Sequence, residues 1–132
     1  MDSKDPLNIV DGMAEPGFAV DGKHQLVAWS KGSETLLGYR AKFILGKPCY
    51  QIICGTDVFA NRFCDANCPV LNMARHGERV NSFELNLRTA TAKTIRTNIA
   101  IVVLRHTSSK FAIIHLLTPL EPAKKQQIPI QA

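Results

Sequence analysis

Every cysteine of this 132-residue chain falls within residues 49–68. Cys49, Cys54, Cys64 and Cys68 follow the pattern C-x4-C, nine residues, then C-x3-C, and Pro69 comes directly after the last of them. Four thiolates this close in sequence can complete a tetrahedral zinc site or hold an iron–sulfur cluster, since both require soft anionic sulfur donors. Gly55 allows the chain to turn between the pairs. Other chemistry competes with this reading. Zinc knuckles favour C-x2-C, a spacing neither pair has. Cys54 adjoins Ile52 and Ile53, where a thiol serves as a small apolar side chain. Neighbouring thiols in a reducing compartment can also form a reversible disulfide. Metal or cluster binding, thiol redox sensing and simple burial therefore all stand, and the charges of Arg62 and Arg75 suit either functional reading by favouring thiolate.

The histidines are candidates of a weaker kind. His76 ends a helix that begins at Pro69, where it would cap carbonyls and complement the helix dipole. His24 falls in a hairpin turn and is expected to be solvated. His115 alternates with Ile113 and Leu117, as a hydrogen-bonded structural histidine would. Trp29, Tyr39, Phe43 and Met73 are expected to pack in the core, and with His76 they are the candidates to line a ligand pocket. The chain has no P-loop, no G-x-S-x-G and no paired nucleophile and base, which points to a binding module and not an enzyme.

The elements that must carry these residues can be read from periodicity. A short apolar stretch of helical character over residues 7–13 precedes a strand at residues 17–20. Asp21-Gly22 is a turn signal, and a second strand over residues 25–30 completes a hairpin. Ser33 is expected to cap a short helix that Gly38 ends, and residues 41–45 add one more helical turn. Residues 49–68 read as a run of short turns, followed by the helix from Pro69 to Gly77. From Val80 the apolar period becomes two, giving strands over residues 83–88, 94–103 and 111–117 joined by short hairpin connections. The fold class is therefore α+β: a five-stranded antiparallel sheet with several short helices over one face, shaped as a cup.

The totals bound the rest. An apolar fraction of 45% and a charged fraction of 20% describe one globular domain with one core. Residues 1–6 read as a loose terminus, 7–120 as the domain, and 121–132 as a linker-like tail rich in Pro, Lys and Gln. The net charge of +5 is scattered, with no basic run and no helix-turn-helix pattern, so direct nucleic-acid binding is not expected. No apolar run approaches the roughly 20 residues that span a bilayer, and no signal-peptide pattern opens the chain. A cytoplasmic location without membrane contact follows as the expectation.

The hairpin Gly17-Phe18-Ala19-Val20-Asp21-Gly22 with Val27-Ala28-Trp29-Ser30, then Leu37-Gly38-Tyr39 and Gly46-Lys47, resembles the PAS domains over residues 7–120. Ser30 stands where that family often has Asn. The resemblance implies a sensory module that reads a ligand, cofactor, redox state or light for an attached output domain, missing from this chain. A transcriptional regulator of bacterial type is the first expectation for the whole protein and a histidine kinase the second. It also implies a homodimer. A small-ligand-binding domain and a dimerisation module without ligand are the alternatives. Haem-binding members place a histidine on a helix by the pocket, which makes His76 the candidate haem ligand. Asn61-Arg62-Phe63-Cys64 departs from the N-C-R-F-L-Q order of the flavin-thiol photosensors, so that photochemistry is not expected. Other members carry a similar C-Y … G … C … C-P run, which supports a functional role for the cysteines with zinc or an iron–sulfur cluster.

Overall fold

The computed structural model describes residues 6–105 and 110–120, with side chains from Asn8 onward. The expected loose terminus lies outside these residues except for Pro6, and the expected tail at 121–132 lies wholly outside them.

Strands β1 (Gly17–Asp21), β2 (Leu26–Trp29), β3 (Phe83–Arg88), β4 (Thr94–Arg105) and β5 (Phe111–Pro119) form one antiparallel sheet in the order β2-β1-β5-β4-β3. The last strand lies between the first and the fourth, so residues distant in sequence become neighbours, with Phe18 opposite His115 and Val20 opposite Ile113. Alternation along the strands separates two apolar clusters. Phe18, Val20 and Ile113 face the main core, while Ala19, Ala28 and Ile114 face the opposite side of the sheet. Phe18, Leu26, Leu37, Leu87, Ile99 and Ile113 are fully buried, and each such side chain contributes about 1.5–3 kcal/mol of hydrophobic stabilisation.

Helices α2 (Lys31–Leu37), α3 (Ala41–Ile44), α4 (Cys49–Ile53) and α5 (Pro69–Arg75) supply residues to the main core. Helix α1 (Pro6–Asp11) departs from that arrangement, because Val10 packs with Ala19, Ala28 and Ile114 on the other face. Among the described residues no helix is long and apolar enough to cross a membrane.

Two local expectations are corrected. The N-cap of α2 is Ser30, whose hydroxyl accepts from the Ser33 amide at 3.1 Å and from the Gly17 amide at 2.9 Å. Ser33 is instead a buried first-turn residue that accepts from the same Gly17 amide at 2.8 Å and donates to the Gly17 carbonyl at 2.8 Å. The two serines thus tie the start of β1 to the start of α2. In the cysteine window, Cys49–Ile53 forms a helix where short turns are expected. Gly38 ends α2 in the left-handed conformation at φ 86°, as its sequence position predicts.

Candidate functional site

The cysteine window wraps one side of the core and encloses a small, mainly apolar cavity of about 20 Å³. Cys49 at the start of α4, Cys64 in the following loop and Cys68 at the N-cap of α5 all line it, together with His24 and His115. Ile53, Val70, Leu85 and Ile99 supply apolar wall from α4, α5, β3 and β4. All four cysteines are free thiols. Cys54 stands apart from the cavity. It ends α4 at φ 44°, with its thiol 3.6 Å from the Gln51 carbonyl and 4.0 Å from an Arg88 guanidinium nitrogen.

Local chemistry explains how Cys64 is delivered. The segment from Gly55 doubles back as a small irregular hairpin, closed by Asp57, whose carboxylate accepts from the Phe59 and Asn61 amides at 2.9 Å each. Thr56 exchanges backbone hydrogen bonds with Asn86 of β3, which anchors this hairpin to the sheet edge. The Phe63 and Cys64 amides then both donate to the Gly55 carbonyl, at 2.9 and 3.1 Å. Cys64 is buried against Gly55 as a result.

His24 corrects the sequence expectation, since it is buried at 8% exposure and not solvated. The turn chemistry is as expected: the Asp21 carboxylate accepts from the Lys23 and Gln25 amides, and His24 adopts φ 68°. What buries the ring is a second segment. Leu26 and Gly46–Lys47 exchange backbone hydrogen bonds, Cys49 donates to the His24 carbonyl at 2.9 Å, and the Tyr50 ring meets the imidazole edge-on at 5.5 Å. The His24 Nε2 is left buried without a hydrogen-bond partner among the described residues.

Burial sets the electrostatics. The Cys49 and Cys64 thiols are both pushed up to about 12, by desolvation first, and for Cys49 also by the neighbouring Cys64 and Cys68. His115 is pushed down to about 4 by its burial, stacked at 4.3 Å on Phe18. The His24 imidazole is also held below its ordinary value, by burial and then by the charge of Arg75. Burial therefore favours the neutral forms of Cys49, Cys64, His24 and His115. Among the described residues, no three His, Cys, Asp or Glu side chains are already drawn together as a bound metal ion requires.

The other pocket candidates lie elsewhere. Trp29 stacks on Phe18 and donates from Nε1 to the Tyr39 carbonyl at 2.9 Å. The Tyr39 hydroxyl reaches the carbonyls of Ile52 and Arg88 at 3.0 and 3.1 Å. Both brace the helical cover and do not line the cavity. Phe43 is 64% exposed, with the Lys42 ammonium 5.1 Å from its ring centre, so it lines no pocket. Met73 is half-buried outside the cavity. His76 is exposed, its Nδ1 2.7 Å from the Asn72 carbonyl, in the capping role expected and away from any position for a haem ligand in this cavity. Of the two histidines that do line the cavity, His115 is buried as its alternation with Ile113 and Leu117 predicts, whereas His24 escapes a linear reading. Its signal is only that it precedes a strand paired with residues 46–49.

No protein-family model matches the sequence, and no curated protein matches it. Its shape is similar to several solved structures. The PAS domain of an HTR-like protein from Haloarcula marismortui superposes with a TM-score of 0.63 at 11% identity, covering 85% of this chain and 91% of that one. The LOV protein of Rhodobacter sphaeroides gives 0.67 at 13% identity, over 92% of this chain and 68% of that one. The PAS domain of nitrogen regulation protein NR(II) from Vibrio parahaemolyticus gives 0.62 at 11% identity, over 87% and 97%. The strand order, the short helices over the main core and these superpositions together show that this chain has the PAS fold.

Proposed function

We propose that this domain is a sensory module of a regulatory protein and that its state is set at the cysteine-lined cavity. The observation that carries the reading is the convergence of Cys49, Cys64 and Cys68 on one cavity between the helical cover and the sheet. A change there bears on α4 and α5, and through Leu85 and Ile99 on the sheet itself. The module acts by binding and not by catalysis, as a homodimer, on a transcription-regulating output. A histidine kinase output is the second reading, favoured by the similarity to the PAS domain of a two-component sensor histidine kinase. Fold similarity alone does not specify an output.

Magnitudes choose among the signals. A cavity of about 20 Å³ holds one water-sized occupant, whereas organic ligands occupy pockets of roughly 300–1,000 Å³. That disfavours flavin, haem and small organic ligands. Thiol oxidation proceeds through thiolate, and burial pushes the Cys49 and Cys64 thiols up to about 12, which slows oxidation at those two positions. Metal binding meets the same proton cost but offsets it, because the sulfur–metal bond forms as the proton leaves. A soft metal ion is therefore the signal the cavity suits best.

Anaerobic purification followed by elemental analysis, an absorption spectrum and thiol titration tests this reading. Stoichiometric metal with chelator-sensitive protection of the thiols is the expected result. A metal-free protein whose stability and oligomeric state respond neither to added metal nor to oxidant overturns it.

A further inference from the structure

Four donors face one small space, and they are not the four cysteines. Cys49, Cys64 and Cys68 line the cavity, Cys54 does not, and the fourth nitrogen or sulfur ligand-type residue beside them from the opening hairpin is His24. Its imidazole is more than nine-tenths buried, yet Nε2 has no hydrogen-bond partner among the described residues. A buried polar atom left unpaired costs about 1–3 kcal/mol, so such an atom beside three thiols calls for an occupant. The strained φ of 68° at His24 is a second local cost at the same residue.

We infer that the cavity is a binding site for a single zinc-class ion held by Cys49, Cys64, Cys68 and His24, with Cys54 outside the ligand set. This rests on the reading of the cavity as the sensory site and names its ligands. Three thiolates and one imidazole form a closed tetrahedral set of the kind zinc takes in structural sites. The alternative of a four-cysteine iron–sulfur cluster needs Cys54, whose thiol is turned toward Gln51 and Arg88, and needs more room than one ion. His115 also lines the cavity, but its Nδ1 already lies 3.3 Å from the Ile113 carbonyl and its ring is stacked on Phe18.

Binding draws the donors inward from their separated positions. Among the described residues, Cys64 and Cys68 sit in an irregular stretch, residues 54–68, where little secondary structure has to be broken for them to move. On binding, each of the three thiols forms a sulfur–metal bond and releases its proton to solvent, so three protons leave for each ion taken up. The resulting site carries one net negative charge, with Arg75 as the nearby cation that already acts on His24, and Asp65 as the nearby anion. Because those protons leave on binding, affinity rises with pH.

Cobalt(II) titration of the metal-free full chain tests the ligand set. Its ligand-field bands report tetrahedral geometry and its sulfur charge-transfer intensity counts thiolates. The expected result is one equivalent bound with three thiolates, displaced by zinc(II), and an unchanged spectrum in Cys54→Ser. Cys49→Ser, Cys64→Ser, Cys68→Ser and His24→Asn, each first shown by circular dichroism to fold without metal, are expected to weaken binding by more than about 100-fold, the upper end of what an outer-shell change costs. Asn is chosen at position 24 because it tolerates positive φ. A four-thiolate spectrum that loses intensity in Cys54→Ser, with His24→Asn unchanged, overturns the ligand set while leaving the cavity a metal sensor. No uptake of cobalt or zinc by the unaltered chain overturns both. If the four ligand variants do not fold, the thiolate count in the unaltered chain and in Cys54→Ser decides alone.

Discussion

Gly55 and Cys64 touch so closely that a single added methyl group at position 55 would stand 2.5 Å from the Cys64 sulfur. The same methyl would lie 3.1 Å from the Leu85 side chain. The loop that delivers Cys64 to the cavity thus depends on a residue without a side chain. Gly55→Ala is expected to lower stability by about 1–3 kcal/mol, the usual cost of overpacking a well-filled site. Urea unfolding should show a lower midpoint at unchanged slope. An unchanged midpoint would mean that Cys64 is not held against this turn.

Stability should fall in mild acid, and His115 is the main reason. Its folded-state value is about 4, against 6.5 for the free ring. Above pH 6.5 the ring is neutral in both states and costs nothing. Between 6.5 and 4 the unfolded chain takes up a proton that the folded chain refuses, so stability declines as pH falls, by up to about 3 kcal/mol. The lowered value of His24 acts in the same direction. His115→Phe, which keeps a ring against Phe18, should flatten much of this slope between pH 6.5 and 4.5 in unfolding measurements.

The Tyr39 hydroxyl joins two elements by reaching the Ile52 carbonyl at the end of α4 and the Arg88 carbonyl at the end of β3. Tyr39→Phe leaves the ring in place and removes the bridge, at an expected cost of about 1 kcal/mol. Hydrogen exchange should quicken first in α4, whose amides lie beside the lost contact.

Ser30 is expected to be harder to replace than an ordinary helix cap. Its hydroxyl accepts from the Ser33 and Gly17 amides and lies 3.0 Å from the Glu15 carbonyl. Ser30→Ala should cost about 1–2 kcal/mol, toward the upper part of the range for N-cap truncation, because β1 loses an anchor together with α2. Thermal unfolding of the variant checks this.

Phe43 offers the opposite expectation. Its ring is mostly in solvent, so Phe43→Ser should shift stability by no more than about 0.5 kcal/mol. It should also leave metal uptake unchanged in the cobalt titration. A large effect on either would mean that this ring packs against the domain more than its exposure indicates.

Period, turn chemistry and composition made the architecture legible. The alternation of Phe83, Leu85 and Leu87 predicts β3, and it is there; Pro69 and Gly77 bracket α5 as their types require. These signals are local, because each depends on residues a few positions apart. The cysteine window was conspicuous for the same reason, since clustering is visible along the chain.

What local signals could not show is which side chains meet across the fold. The pairing of β1 with β5 puts Phe18 on His115, and the pairing of residues 46–49 along β2 buries a turn histidine that sequence alone places in water. Trp29 and Tyr39 were legible as core residues but not as braces, because their partners are backbone carbonyls whose positions follow from the packing. By itself the sequence determined five strands, short helices and four thiols in one window. Only the tertiary structure decided that three of those thiols share a cavity with His24 while Cys54 turns away, because long-range strand pairing and burial, unlike helical or strand period, leave no repeat in the chain to read.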